Sequence, residues 1–196
     1  MNVVFLSQRV PYPPDRGDRI TTHHFLCHLL ARGARVRIGA LAEEEADEAG
    51  IEHLRGTVAE ICAPRIHRGL RKVTSLRALV TGKPLTLPFF HSGKLAKTVK
   101  RWLREDPPDL IYVYSSSMAQ YVMDVPEGTV RWMQFAELDS DKWRQYAVAG
   151  GRMAKLIYGR EAARLLAFEA KVARSFEVSA VVSEVEKDLF MECIPG

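Results

Sequence analysis

Six short apolar runs, each of strand length, alternate along this sequence with segments of helical periodicity. The runs are Val3 to Leu6, Val36 to Leu41, Val58 to Cys62, Leu110 to Tyr114, Val130 to Phe135 and Val178 to Val182. Apolar runs without polar alternation are typical of parallel strands that are covered on both faces. The pattern predicts a Rossmann-like α/β fold, with a doubly wound, mainly parallel sheet of about six strands and helices on both faces.

Helical patterns fill the intervals between the apolar runs. The predicted helices are Asp18 to Arg32, Glu43 to Leu54, Leu70 to Leu79, Lys94 to Arg104, Ser116 to Met123 and Gly151 to Phe176. In the first helix an apolar stripe is formed by Phe25, Leu26, Leu29 and Leu30. Gly33 is placed to end that helix, and a proline-braced loop is predicted from Lys83 to Pro88.

Composition narrows the class of protein. With 196 residues and 47% hydrophobic content, the chain can bury one sizeable core, so we predict a single domain over residues 1–196. A formal net charge of +4 is too small for a nucleic-acid-binding tail, and no nucleic acid partner is expected. The three cysteines, Cys27, Cys62 and Cys193, have apolar neighbours, which predicts buried free thiols and a cytoplasmic location.

Loops that directly follow the strands are the candidates for ligand binding, because doubly wound sheets bind ligands outside the carboxyl ends of their strands. The candidate loops are Gln8 to Arg19, Ser115 to Gln120, Glu137 to Tyr146 and Ser183 to Lys187.

The first of these loops contains three prolines and then Gly17 at the start of a helix. Free amides at a helix start attract anions, so one interpretation is a phosphate near Gly17, with Arg16 and Arg19 as its partners. The alternative is a rigid turn in which Asp18 caps the helix. GxGxxG is absent from this loop and GxxxxGK[ST] from the chain, which argues against NAD-dependent and P-loop proteins.

Polar residues follow the fifth apolar run as well. Glu137, Asp139 and Asp141 can accept hydrogen bonds from sugar hydroxyls, and the indole of Trp143 can stack on a pyranose ring. The alternative is an acidic helix start in which Asp139 or Ser140 is the cap and Trp143 packs in the core.

Two further groups have both a functional and a structural interpretation. Ser115, Ser116 and Ser117 follow the fourth run and can either bind a ligand or cap a helix. His24 and His28 have the spacing of paired zinc ligands, but no third ligand is evident, so no metal site is predicted.

Five motifs, distributed over essentially the whole chain, form a distinctive combination. They are PYPPDRGDR, PLTLPFF, DLIYVYSSSMAQYV, FAELDSDKW with a following QYA, and VSAVVSEVEKDLF. In this combination the chain resembles the GT-B glycosyltransferases associated with PEP-CTERM and exosortase systems, within the broad glycosyltransferase family four. The resemblance implies the amino-terminal domain of a retaining enzyme of exopolysaccharide biosynthesis. Such enzymes transfer a sugar from a nucleotide-diphosphate donor to a polysaccharide or lipid-linked acceptor, with no metal ion or other cofactor.

The resemblance also implies site residues. Gly17 matches a loop glycine that approaches the donor diphosphate or the acceptor, and the serines after the fourth run match a loop that faces the cleft. The expected catalytic residues are Glu137 and Asp139. The expected substrate-binding residues are Arg16, Gly17, Asp18, Ser115, Ser116, Gln120, Asp141 and Trp143.

The chain departs from the family pattern in three respects. Gln134 and Glu137 stand where aspartates are expected and no histidine accompanies them, which leaves the polar catalytic group open. Only one glycine occupies the first loop. The Glu-rich donor motif of a second, carboxyl-terminal domain is missing, so we expect a fragment that contributes the acceptor side of the cleft and is inactive alone.

Two other hypotheses stand beside this one. The first is a stand-alone, flavodoxin-like binding or regulatory domain without catalysis. The second concerns a peripheral membrane contact, because residues 67–79 place Arg68, Arg71, Lys72 and Arg77 beside apolar side chains, as in helices that lie on anionic lipid. The alternative for that segment is a helix whose apolar side packs on the sheet.

Overall fold

The computed structural model describes residues 1–67, 69, 71, 75, 78, 82–125 and 128–195. The helix predicted for residues 70–79, and with it the basic segment considered for a membrane contact, lies for the most part outside these residues.

A six-stranded, all-parallel sheet forms the centre of the fold. Its strands are β1 Asn2–Leu6, β2 Arg35–Gly39, β3 Glu60–Cys62, β4 Leu110–Tyr114, β5 Val130–Gln134 and β6 Val178–Ala180. They are arranged in the order β3-β2-β1-β4-β5-β6. The predicted Rossmann-like α/β fold is therefore confirmed, and each of the six apolar runs overlaps a strand.

Seven helices whose bounds fall in the described residues, with one short 3-10 helix, connect and cover the strands. They are α1 Gly17–Ala31, α2 Ala46–Arg55, α3 Thr86–Phe89, α4 Gly93–Glu105, α5 Asp139–Ala149, α6 Arg152–Ser175, α7 Glu184–Cys193 and the 3-10 helix Ser116–Tyr121. The structure differs from the prediction in three places. The pattern after β4 forms a 3-10 helix, the proline-braced segment leads into the single turn α3, and α7 was not predicted. A helix at the position of α5 was considered only as an alternative for the acidic segment.

Local chemistry explains several helix boundaries. Gly33 has φ of 71°, a conformation that glycine adopts without steric cost, and it directly follows the last turn of α1, as predicted. The hydroxyl of Ser183 accepts a hydrogen bond from the amide of Glu186 at 3.2 Å and so caps α7.

The sheet is buried on both faces, as the apolar runs predicted. Successive residues of one strand, such as Val3 and Val4 of β1, belong to different core clusters, because their side chains point to opposite faces of the sheet. One cluster includes Leu26 of α1. The other includes Val99 of α4 and Val172 of α6.

The prediction of three buried thiols is confirmed only for Cys62. Cys62 is buried and Cys193 is partly exposed, but Cys27 is exposed on α1. The face of α1 that packs on the sheet contains Leu26 and Leu29, and Cys27 lies outside it because each helical residue is rotated by about 100° from the one before.

Candidate functional site

The candidate site lies where the direction of strand order reverses. β1 and β4 are neighbours, yet the chain continues from β1 toward β2 and β3 on one side, and from β4 toward β5 and β6 on the other. The loops that leave β1 and β4 therefore diverge and open a crevice at the carboxyl edge of the sheet.

Ser115, the residue that follows β4, has an uncommon backbone conformation. Its φ is 75° and its ψ is 135°, and it is the single non-glycine residue with positive φ in the described chain. Such a conformation costs about 1–3 kcal/mol and is found mainly where surrounding structure enforces it, often at functional sites. The turn is followed by the buried Ser116 and Ser117, which begin the 3-10 helix at this edge.

Asp139, the first residue of α5, faces the serines that follow β4. The hydroxyls of Ser115 and Ser116 each lie 3.4 Å from its Oδ2 atom. Burial raises the pKa of Asp139 to about 6, and the negative charge of Glu137 adds to the rise, while Lys142 and the two serines oppose it. Asp139 therefore exchanges a proton near neutral pH, as groups in acid–base or hydroxyl-binding roles do.

Behind Asp139 lies a second carboxyl group, that of Glu169 on α6. Glu169 is fully buried, and its Oε1 atom is 3.2 Å from the Ser116 hydroxyl, while Oε2 makes no hydrogen bond of standard geometry in the part of the chain described. Burial raises the pKa of Glu169 to about 8, and the charge of Asp139 adds to this, while Ser140 and Ser116 oppose it. One serine hydroxyl thus lies between two carboxyl groups whose pKa values are both raised by burial.

A polar contact joins the two diverging loops. The Gln8 side chain donates a hydrogen bond from Nε2 to the Ser117 hydroxyl over 2.8 Å. Beneath it, the buried Tyr114 at the end of β4 has its pKa raised by burial first, and also by the charges of Asp18, Glu137 and Asp139. The beginnings of α1 and α5 therefore both contribute negative charge around one tyrosine at the crevice.

Two predicted substrate-binding residues form ion pairs within the chain. Arg16 pairs with Glu44 over 3.0 Å, and both side chains are about half exposed. Asp18 accepts from Arg9 at 2.5 Å. Arg16 and Asp18 lie at the rim of the crevice, and a ligand would have to compete with these partners.

Gly17 begins α1, and the space in front of it is open. A Cβ atom added at Gly17 would meet no heavy atom within 4 Å, so the fold itself does not require glycine there. The residue at the cap position is Arg16, whose side chain makes no cap hydrogen bond, and Asp18 already lies in the first turn. The alternative in which Asp18 caps this helix is therefore wrong.

The acidic residues around the start of α5 point in different directions. Glu137 is exposed and pairs with Lys142 over 2.8 Å. Asp141 is buried and accepts from Arg144 and Gln145, both at 2.7 Å, on the side of α5 that faces a groove between α5, α6 and the end of α7. Among these acids, Asp139 is the one that the structure places against the serines of the β4 loop.

Trp143 and Gln120 have structural contacts. Trp143 packs against Tyr158 of α6, with ring centroids 5.2 Å apart, and remains partly exposed. Gln120 donates from Nε2 to the carbonyl oxygens of Leu87 and Ser117, at 3.0 and 2.7 Å, and so connects the 3-10 helix to α3.

The alternative of Asp139 or Ser140 as the cap of α5 is wrong, because Leu138 occupies that position.

Sequence reasoning missed Glu169 and Tyr114, and it placed Gln8 in a candidate loop without assigning it a role. A signal for Glu169 exists, since it lies in the helical stripe of α6 that also contains Leu165 and Val172, where a charged residue must be buried. Tyr114 ends an apolar run, and nothing in the run distinguishes it from a core residue.

Comparisons with known proteins give no assignment. The sequence matches no protein-family model, and no significantly similar protein is found among those that have been curated. Within the ranges that the structure describes, no cluster of three or more His, Cys, Asp or Glu side chains is arranged to hold a metal ion. Nor does any helix there combine the length and apolar character needed to cross a membrane.

Proposed function

We propose that this chain is the acceptor-side domain of a retaining glycosyltransferase with a nucleotide-diphosphate sugar as donor and a polysaccharide or lipid-linked glycan as acceptor. The five motifs that resemble PEP-CTERM-associated enzymes support this proposal, and so does the strand order, which provides a crevice at the switch between β1 and β4. The proposal includes a cytoplasmic location and a second domain that holds most of the donor.

The observation that carries the proposal is the placement of Asp139 at the carboxyl edge of the sheet. Its Oδ2 atom is engaged by Ser115 and Ser116, whereas no hydrogen bond to Oδ1 is made by the residues described. Oδ1 is the atom that we expect to accept a hydrogen bond from a hydroxyl group of an acceptor sugar. A carboxylate that accepts such a hydrogen bond orients the hydroxyl and increases the electron density on its oxygen.

In the proposed reaction, the acceptor oxygen forms a bond to the anomeric carbon on the face from which the diphosphate leaves. The bond from that carbon to the phosphate oxygen breaks, and the leaving phosphate oxygen takes the hydroxyl proton. Asp139 holds the acceptor hydroxyl, and the negative charges of Asp139 and Glu137 stabilise the positive charge that develops on the sugar. Gly17, with open space in front of it, would admit the diphosphate at the rim, beside Arg16.

A second candidate function is a binding or regulatory domain without catalysis. The ion pairs of Arg16 with Glu44 and of Asp18 with Arg9 favour it, because these residues already have partners within the chain. In that case the crevice binds a ligand but no group is transferred.

The substitution Asp139→Asn tests the proposal in a protein that also contains the second domain. Since asparagine cannot carry the negative charge, we expect kcat/KM for sugar transfer to fall by about 100-fold. The wild-type rate should rise with pH through about 6 as Asp139 loses its proton, and the variant should lack that rise. Initial rates measured across this pH range check both effects.

Asp188→Asn, on the exposed side of α7, serves as the matched control and should leave the rate unchanged. If Asp139→Asn retains full activity, Asp139 has no role in transfer. If no nucleotide sugar supports transfer while the crevice still binds a saccharide, the non-catalytic candidate takes its place.

A further inference from the structure

The turn between α5 and α6 exposes several large apolar side chains on one part of the surface. Val148 near the end of α5 is 77% exposed, and Met153 and Leu156 in the first turns of α6 are each 70% exposed. Tyr146 is about half exposed beside them. We call these four side chains, with Arg152 and Lys155, the hairpin patch. Isolated exposed apolar residues are ordinary, but four within eleven residues of sequence are a concentration typical of an interaction surface.

The sequence that forms the hairpin patch is basic. From residue 142 to residue 160 the sequence contains five basic residues and no acidic one. Arg152 and Lys155 lie within the patch itself, both exposed, and neither forms an ion pair with any residue described. Apolar side chains flanked by free cations match an anionic lipid surface, with headgroups for the cations and acyl chains for the apolar groups.

Aromatic residues form one side of the same turn. Trp143, Tyr146 and Tyr158 pack together, with ring centroids between 5.2 and 6.3 Å apart. Tryptophan and tyrosine are enriched where proteins meet the interface of a bilayer, because one end of each ring system is apolar and the other is polar.

The turn is closely packed, so the patch has a defined shape. A Cβ atom at Gly150 would lie 2.6 Å from the Cβ atom of Ala154 and 3.1 Å from the carbonyl oxygen of Tyr146. Only glycine allows the ends of α5 and α6 to approach this closely.

We propose that the hairpin patch docks this protein on an anionic membrane surface. Val148, Met153 and Leu156 insert at the level of the headgroups, while Arg152 and Lys155 bind lipid phosphates. This surface differs from the basic segment of residues 67–79, and the inference does not depend on the transfer chemistry proposed above.

Helix α7 provides a matched comparison on the same molecule. Val185 is 77% exposed and Met191 58% exposed, which is similar to the apolar residues of the patch. Their neighbours on α7 are four acidic residues and one lysine, at positions 184, 186, 188, 192 and 187. An anionic membrane repels such a surface.

Co-sedimentation of the protein with lipid vesicles tests the proposal. We expect binding to vesicles that contain phosphatidylglycerol and none to vesicles of phosphatidylcholine alone, with a marked loss at high salt. The double variant Val148→Ser/Leu156→Ser should bind at least about tenfold more weakly, because it removes two inserted apolar groups. Arg152→Gln/Lys155→Gln should bind about 30-fold more weakly, at about 1 kcal/mol for each cation.

The control variant Val185→Ser/Met191→Ser should bind like the wild type. All four substituted positions of the two apolar variants are exposed, and a thermal unfolding curve for each variant verifies that the fold is retained. The proposal is overturned if wild type binds neither vesicle, if it binds both equally, or if the control weakens binding as much as the patch variants. It is also overturned if the patch instead mediates concentration-dependent self-association that the patch variants abolish.

Discussion

Helix α6 buries two glutamates that lie two turns apart, and the two carboxyl groups differ in how many hydrogen-bond donors surround them. Glu161 is fully buried and accepts three hydrogen bonds, from the amides of Leu85 and Thr86 and from the Thr86 hydroxyl, at 2.6 to 2.9 Å. Glu169 is equally buried, but its Oε1 atom has the Ser116 hydroxyl, which also lies beside Asp139, and its Oε2 atom has no hydrogen bond of standard geometry in the described chain. Ser140 lies near enough to favour its charged form. One carboxyl group is fully paired and the other is not.

This difference in hydrogen bonding distinguishes a carboxyl group with a structural role from one suited to a functional site. Glu161 satisfies amides at the start of α3 and so fixes that helix to α6, at a distance of 75 residues along the chain. Glu169 lacks enough donors to offset the cost of burying a negative charge, and its pKa rises as a result. Poorly paired acids of this kind are destabilising, and they occur preferentially at functional sites.

Replacing Glu161 with glutamine should have the largest effect on stability. In Glu161→Gln an NH2 group replaces one of the two carboxylate oxygens. That oxygen now accepts a hydrogen bond from a backbone amide, and the NH2 group cannot accept one, so the substitution leaves a buried donor without a partner. We expect the free energy of unfolding to fall by about 2–4 kcal/mol, measured by urea denaturation. Glu52→Gln on the exposed surface of α2 is the control, and its cost should stay below about 0.5 kcal/mol. A cost no larger than that of the control would contradict the structural role of Glu161.

The order of helices and strands explains how much of the fold and of the candidate site could be predicted from the sequence. Apolar runs fix the strands, and parallel strands place their following loops at one edge, so Asp139 and Ser116 were identified without coordinates. The partners of Glu161 and Glu169 could not be, because they lie 75 and 53 residues away along the chain. The ion pairs of Arg16 and Asp18 depend in the same way on side-chain positions that no local pattern encodes.

Replacing Glu169 with glutamine should raise the free energy of unfolding, which is the opposite of the effect expected at Glu161. The pKa of Glu169 is about 8 in the folded protein and 4.5 when unperturbed. Between these values the folded state holds a proton that the unfolded state has lost. The free energy of unfolding therefore falls as pH rises through this window, by about 1.4 kcal/mol per pH unit at most. Glutamine has no proton to lose and no charge to bury, so the stability of Glu169→Gln does not decline in this window. We expect the variant to be more stable than wild type by about 1–3 kcal/mol at pH 7.

Urea denaturation of Glu169→Gln and wild type at a series of pH values measures this difference. The two proteins should have similar stability below pH 4.5 and diverge up to about pH 8, after which the gap stays constant. A variant that is less stable than wild type throughout would show that Glu169 is as well paired as Glu161.

The smallest effect is expected for Ser116, whose hydroxyl lies between Asp139 and Glu169. Ser116→Ala should lower the free energy of unfolding by about 1 kcal/mol, the usual contribution of one hydrogen bond. Because the hydroxyl favours the charged form of both carboxyl groups, its loss should also extend the pH window of declining stability to higher pH, while the lower end of the window, set by the unfolded state, stays in place. Ser117→Ala is the matched control, since the Ser117 hydroxyl accepts from Gln8 and should cost a similar amount without moving the window. Equal pH windows for the two variants would mean that Ser116 does not couple the carboxyl groups, and Glu169 would then be a buried acid without influence on Asp139 through this serine.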